Sequence, residues 1–152
     1  PLLMIEILVY LFENYHSFSA RPKTRTLRRR LSAVGFQDEN ITAALRWLDR
    51  LKAAPPVDLP ERPQALRVYL AAEQRKLGRD CLGFIAFLES AGLLAPTLRE
   101  LVIEGAMLLE DDPVPLAKFK IIVLMILWSG EQTLQPLVVE ELLDDGQQRL
   151  RH

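Results

Sequence analysis

Between Pro115 and Trp128 the chain reads PLAKFKIIVLMILW, apolar on nearly every side beyond Lys120. A helix of that kind must be buried over most of its surface. It is too short to span a bilayer, because Phe119–Trp128 runs ten residues where roughly 20 are needed. The remaining chain therefore has to wrap it. Composition agrees: 49% of the 152 residues are apolar and only 7 are Gly, which suits helices packed on helices. A chain of this length buries roughly 68–70% of the surface exposed when unfolded, so one core forms without a disulfide or metal staple.

The covering helices are legible from apolar spacing. Met4–Tyr15 places Ile5, Leu8, Val9, Leu11 and Phe12 on one face, with Glu6 and Glu13 outside it. The opening PLLMIEILVYLF lacks the basic start and cleavage site of a signal peptide. Asn14–Pro22 is expected to be a loop, since Pro22 disfavours helix in the residue before it. Leu27–Leu51, LRRRLSAVGFQDENITAALRWLDRL, predicts a helix-turn-helix-like pair. Its first helix spans Lys23–Val34 with Leu27, Leu31 and Val34 inward, and Gly35 stops it. Its second runs from about Asp38 to Ala53 with Ile41, Ala44, Leu45, Leu48 and Leu51 inward. Phe36 and Ile41 have hydrophobic-staple spacing if Gln37 is the N-cap, although Asp38 is the better capping residue type.

Pro55–Pro63 contains four prolines and no helical period, so it is a connector. ALRVYL, residues 65–70, alternates Leu66, Val68 and Leu70 with Arg67 and Tyr69, which predicts a short half-buried strand. Beyond it everything reads as helix. Ala72–Leu77 is interrupted near Gly78, and Arg79–Ala91 carries Cys81, Phe84, Ile85 and Leu88 inward until Gly92. Pro96–Leu109 starts with proline where the first turn needs no N–H and is expected to bury Leu98, Leu101, Val102 and Leu108. Thr133 is the expected cap of a last helix with Pro136 in its first turn and Leu137, Val138, Leu142 and Leu143 inward. Residues 147–152 are expected to be a frayed tail.

The expected fold is mainly α. A winged-helix-like three-helix unit (1–54) with one short strand in the connector segment (55–70) packs on a C-terminal helical bundle (71–146).

The ordered set MIEILVYLFENY, AVGF with ITAALRWLDRL, LRVYL, LGFIAFLESAGLL, TLRELVIEGAMLL and LAKFKIIVLMILW resembles the bacterial Smg family, carried as a domain of unknown function. The resemblance spans about Met4 to Leu143. It implies a usual start at Met4, leaving Pro1–Leu3 outside the family pattern, and it supplies no reaction, cofactor or catalytic residue. The chain departs from the family at Gln37 and Ile121. Its basic second helix also looks particular to it, so a function shared by the family does not rest on that run.

Charge is unevenly divided. Residues 1–54 hold nine Lys/Arg against five Asp/Glu, and residues 55–152 hold ten against fifteen. Arg21, Lys23, Arg25, Arg28, Arg29 and Arg30 put six cations in ten residues, a pattern that can meet phosphates. Helical geometry weakens that reading. Leu27 and Leu31 face the core, which leaves Arg25 and Arg29 outward and Arg28 and Arg30 flanking. The third helix, which would enter a DNA groove, opens with Asp38 and Glu39 and offers only Arg46 and Arg50. A solvated or protein-binding face is the simpler account.

Trp47 is expected to pack in the core or at the interface between subdomains rather than to stack on a base. Where they reach the surface, Trp47, Tyr69 and Trp128 would be interface anchors, since aromatics dominate interface energetics. Cys81 sits on an apolar face without a neighbouring His, which predicts a buried thiol rather than a nucleophile, and a lone cysteine fits a reducing cytosol. His16 and His152 lack partners at metal-ligand spacing. Glu110–Asp112 reads as a solvated turn, and Glu100 with Glu104 as a surface pair. No Gly-rich phosphate loop or Ser/His/Asp set occurs. Neither catalytic, cofactor-binding nor metal-binding residues are expected. The expectation is a non-enzymatic cytoplasmic protein-interaction or regulatory module with a protein partner and no membrane, or alternatively a winged-helix-like nucleic-acid binder using Arg25, Arg28, Arg29, Arg46 and Arg50.

Overall fold

The computed structural model describes residues 3–15, 17–53, 67–130 and 134–144. Among them are seven α-helices: α1 Leu3–Asn14, α2 Thr24–Val34, α3 Asp38–Ala53, α4 Ala71–Ser90, α5 Pro96–Met107, α6 Leu116–Ser129 and α7 Pro136–Leu143. A single 3₁₀ turn, Phe18–Ala20, lies in the α1–α2 loop. The proline-rich connector 55–63, His16, Thr133 and residues 147–152 lie outside the described residues. Among those described, no helix is long and apolar enough to cross a membrane.

Local chemistry sets most helix ends. Gly35 adopts φ 116°, where a Cβ would be strained. Its N–H donates to the Ser32 carbonyl, and the Phe36 N–H reaches back to Leu31, the paired closure of a Schellman motif. Gly92 repeats the pattern after α4, with Leu93 N–H bonded to the Leu88 carbonyl. Gly78 is the only non-helical residue inside α4 (φ 71°, ψ 174°), so that helix is two straight pieces meeting where the sequence predicts an interruption. The Gln37 carbonyl accepts the Asn40 and Ile41 N–H groups that open α3, while the Asp38 carboxylate turns away to Arg28.

One core joins both halves of the chain. α6 is buried continuously from Lys118 to Trp128, with α1, α4, α5 and α7 packed around it. Its two lysines run their apolar stems through this packing and emerge at carboxylates. Lys118 Nζ bonds Asp111 at 2.6 Å and Lys120 Nζ bonds Glu141 at 3.0 Å. α1 lies between α3 and α6, so Ile7 is buried together with Ile5, Leu8 and Leu11, one residue beyond the single predicted face.

Four expectations are corrected. Val34, expected inward with Leu27 and Leu31, is exposed at the end of α2. The buried stripe of α5 is Arg99, Val102, Ile103, Gly105 and Ala106, with Leu98, Leu101 and Leu108 only partly covered. A charged residue and a glycine on the core face hide it from apolar spacing. Leu137 faces solvent on α7, while Leu142 is buried. Finally, Arg67–Leu70 forms no strand, and no strand occurs among the described residues, so the wing that a winged helix needs is not built there. The alternation in this segment is real but inverted: Val68 and Leu70 are 86% and 68% exposed, and Arg67 and Tyr69 face the protein. The four charge-assisted hydrogen bonds that Arg67 donates to Glu73 and Glu100 outweigh the burial of two aliphatic side chains.

Candidate functional site

The basic residues of α2 do not act as a set. Arg28 Nη1 donates to Asp38 Oδ1 at 2.9 Å and to Thr42 Oγ1 at 3.0 Å, pinning α2 to the first turns of α3. Arg30 donates to the Tyr15 hydroxyl at 3.3 Å, and Arg21 lies 4.1 Å over the Phe18 ring. Arg25 and Arg29 are exposed and make no ion pair among the described residues. Arg46 and Arg50 are likewise exposed and make no ion pair among the described residues, but they line a cleft on α3 that the α2 arginines do not enter.

Of the three aromatic residues expected as anchors, two are core. Trp47 is 4% exposed and donates its indole N–H to the Gly105 carbonyl at 2.9 Å. Trp128 is buried beneath the edge-on rings of Phe12 and Phe18. Only Tyr69 reaches solvent. The Arg67 guanidinium lies 4.7 Å over its ring, and burial, reinforced by the charge of Glu89, pushes its hydroxyl above the ordinary range.

Tyr69 borders a polar network of five charged side chains among the described residues. Arg67 donates to both carboxylate oxygens of Glu73 (2.8 and 3.0 Å) and to both of Glu100 (2.8 and 3.0 Å). Arg99 donates to Glu100 at 2.8 Å and to Glu89 at 2.9 Å. Two arginines and three glutamates thus tie the segment before α4, both ends of α4 and the start of α5 into one network. The hydrogen bonds from Arg67 hold Glu73 below the usual carboxylate range. Burial alone would raise Glu100, but its bonds from Arg67 and Arg99 bring it below that range as well. Glu100 is therefore an ion-pair residue and not half of a surface pair with exposed Glu104. Apolar spacing cannot find such a network. Its one local signal is Glu73, three residues after Leu70, whose carboxylate accepts the Leu70 N–H at 2.9 Å as half of a capping box.

The turn between α5 and α6 is held from outside. Lys76 Nζ donates to the Met107 carbonyl at 2.9 Å and also to the Leu109 carbonyl. Val114 N–H bonds the Lys76 carbonyl at 2.7 Å. Cys81 is buried, its Sγ–H donates to the Val114 carbonyl at 3.3 Å, and burial pushes its thiol up to about 12. It is a structural thiol. Among the described residues, no group of three or more His, Cys, Asp or Glu is placed to hold a metal ion.

Two concavities stand out among the described residues. The first, about 370 Å³, lies between α3 and the α5–α6 turn and is lined by Arg46, Trp47, Arg50, Leu108, Glu110 and Lys118 among others. The second, about 180 Å³, is a shallow groove between α4 and α7, lined by Phe84, Phe87, Leu93, Leu137 and Val138, with Glu141 the only charged residue among the described lining. Phe87 is 59% and Leu137 77% exposed. Phe87 lies off the buried Cys81–Ile85–Leu88 stripe, and an aromatic on the polar side of an amphipathic helix is the sequence signal for such a surface.

A family model described as Protein of unknown function (DUF494) matches residues 4–152. The chain is similar to the Protein Smg homolog of Aromatoleum aromaticum, 49% identical over 150 residues that make up 97% of each chain. It is also similar to the Protein Smg homologs of Bordetella petrii (49% identical) and Bordetella pertussis (47%), in each case over 152 residues covering 98% of this chain and 100% of the relative. No solved structure matches the chain. Full-length similarity of this degree, together with the family match, shows that the chain belongs to the Smg family, DUF494, as its six ordered sequence segments imply.

Proposed function

We propose that the protein is a non-enzymatic interaction module of the bacterial cytosol that docks an amphipathic helix of a partner protein in the α4–α7 groove. The carrying observation is the groove itself, where Phe87 and Leu137 stand exposed around a lining with one charged side chain among its described residues. Exposed apolar surface of this kind marks binding sites, and helices are read in such grooves by apolar residues one turn apart. The groove lies in the acidic part of the chain, with Glu140 exposed beside it on α7. The matching helix therefore carries Lys or Arg beside its apolar stripe. The experiment compares proteins captured from lysate by the full chain with those captured by Phe87→Glu and Leu137→Glu. Specific loss of an identified helical partner, and of a peptide copied from its helix, supports the reading. An unchanged set of captured proteins overturns it, and so does a self-associated wild type that Leu137→Glu turns into monomers.

The alternative, a nucleic-acid surface, draws support from the exposure of Arg25, Arg29, Arg46 and Arg50 without ion pairs among the described residues. It loses Arg28, whose guanidinium is engaged by Asp38 and Thr42. An affinity for DNA or RNA that falls steeply with salt, and flattens in Arg25→Glu/Arg29→Glu, would favour it.

A further inference from the structure

The cleft on α3 shares no lining residue with the α4–α7 groove. Asn40, Ala43, Trp47 and Arg50 recur at three- and four-residue spacing on the wall formed by α3, with Arg46 beside them. This is the spacing that brings side chains onto one helix face. The facing wall comes from Leu108–Asp111 and Lys118. Its charges largely cancel: Lys118 and Asp111 pair at 2.6 Å, and the lysine side chain is 6% exposed. That leaves two exposed guanidiniums, Arg46 and Arg50, one helical turn apart and unpaired among the described residues, with Glu110 across the cleft.

Size and chemistry narrow the occupant. About 370 Å³ is near the lower end of ligand sites and takes a few side chains of a polypeptide. Trp47 offers no stacking face at 4% exposure, and its N–H is committed to Gly105, so a nucleobase finds no platform. Glu110 on the opposite rim opposes the several charges of a polyphosphate more than the one charge of a carboxylate. A single carboxylate matches the planar fork of a guanidinium, and Met4 and Leu108 provide apolar surface beside it.

We infer that this cleft binds a short acidic peptide segment, with an Asp or Glu carboxylate held by Arg46 and Arg50 and an adjacent aliphatic side chain against Met4 and Leu108. The inference shares with the interaction-module reading only that the ligand is a polypeptide. The groove can fail while the cleft stands, and the reverse.

The two tryptophans provide a direct readout, since one lies in the cleft wall and the other is buried elsewhere under Phe12 and Phe18. The ¹⁵N-labelled full chain is titrated with terminally blocked heptapeptides holding a central Leu flanked by Asp or Glu. Their Asn/Gln counterparts and a single-stranded oligothymidylate serve as comparison probes. The expected result is movement of the Trp47 indole resonance, not that of Trp128, with an acidic peptide only. Binding should weaken roughly tenfold or more in Arg46→Glu/Arg50→Glu, weaken with added salt and persist in Leu137→Glu. Arg46→Gln/Arg50→Gln, which removes charge without introducing repulsion, should show the same direction. The inference is overturned if millimolar acidic peptides leave Trp47 unmoved, if the Asn/Gln peptides bind equally well, or if only the oligonucleotide binds through these arginines.

Discussion

Trp47 and Gly105 lock α3 to α5 through a single close approach. A Cβ built on Gly105 would lie 3.0 Å from Cζ2 of Trp47 and 3.3 Å from Cγ2 of Ile122, and the Gly105 carbonyl accepts the indole N–H at 2.9 Å. The last carbonyls of a helix lack intrahelical donors. At the end of α5, Leu108 and Leu109 N–H groups serve Glu104 and Ala106. Gly105 and Met107 are served from other helices, by Trp47 of α3 and Lys76 of α4. Gly105→Ala should therefore destabilise the protein by about 1–3 kcal/mol through overpacking, despite alanine's better helix propensity. Trp47→Phe should also destabilise it, by leaving the carbonyl without its donor. Urea unfolding curves of both variants measure these effects, and wild-type midpoints would disprove the lock.

Removing Arg67 should cost roughly 2–3 kcal/mol, because Glu73 and Glu100 are mostly buried and each would lose two hydrogen bonds. The pH dependence follows from the direction of the shifts. Both glutamates lie below the ordinary value of 4.5 when folded, so the stability they contribute is fully present above that value. It is lost as pH falls through their lower folded values. Thermal melts between pH 6 and 3 should show a steeper acid loss in wild type than in Arg67→Ala.

Cys81 should resist a thiol reagent at pH 8, because its thiol is pushed up to about 12 and the thiolate is the reactive form. Labelling should proceed at the rate of unfolding and become fast in denaturant. Rapid labelling of the native protein would contradict the burial of this side chain.

Arg28 and its neighbours should separate cleanly. Arg28→Ala loses its bonds to Asp38 and Thr42 and should lower stability by about 0.5–1 kcal/mol, the scale of an exposed pair in good geometry. Arg25→Ala and Arg29→Ala, without such partners among the described residues, should leave the melting temperature unchanged. Equal effects at all three positions would remove Arg28 from its role in joining α2 to α3.

Leu137→Glu should leave stability within about 0.5 kcal/mol of wild type, because the residue is 77% exposed. Leu142→Ala, on the buried side of the same helix, should cost about 2–5 kcal/mol. Calorimetry on the pair tests which face of α7 belongs to the core.

Helices were the legible part of this chain because their signals are local. Gly35, Gly92 and Pro96 mark ends through backbone conformation and donor chemistry that need no tertiary partner, and α3 spans the predicted Asp38–Ala53. The candidate surfaces were legible only in fragments. Arg46 and Arg50 stand out as exposed cations on an amphipathic helix, but the cleft they border is completed by Leu108–Asp111 and Lys118, some sixty residues away in sequence. Phe87 and Leu137 meet only once α4 and α7 are side by side.

The sequence by itself determined that the core is helical and centred on α6, since a helix apolar all round has no other stable environment in water. The tertiary structure decided where charge overrides hydrophobicity. Arg67 turns inward and Val68 and Leu70 outward because Glu73 and Glu100 converge from two helices on one guanidinium. Gly105 accepts Trp47 because packing brings α3 onto the end of α5. Such choices depend on the sum of contacts between distant elements, and periodicity within one segment carries no record of that sum.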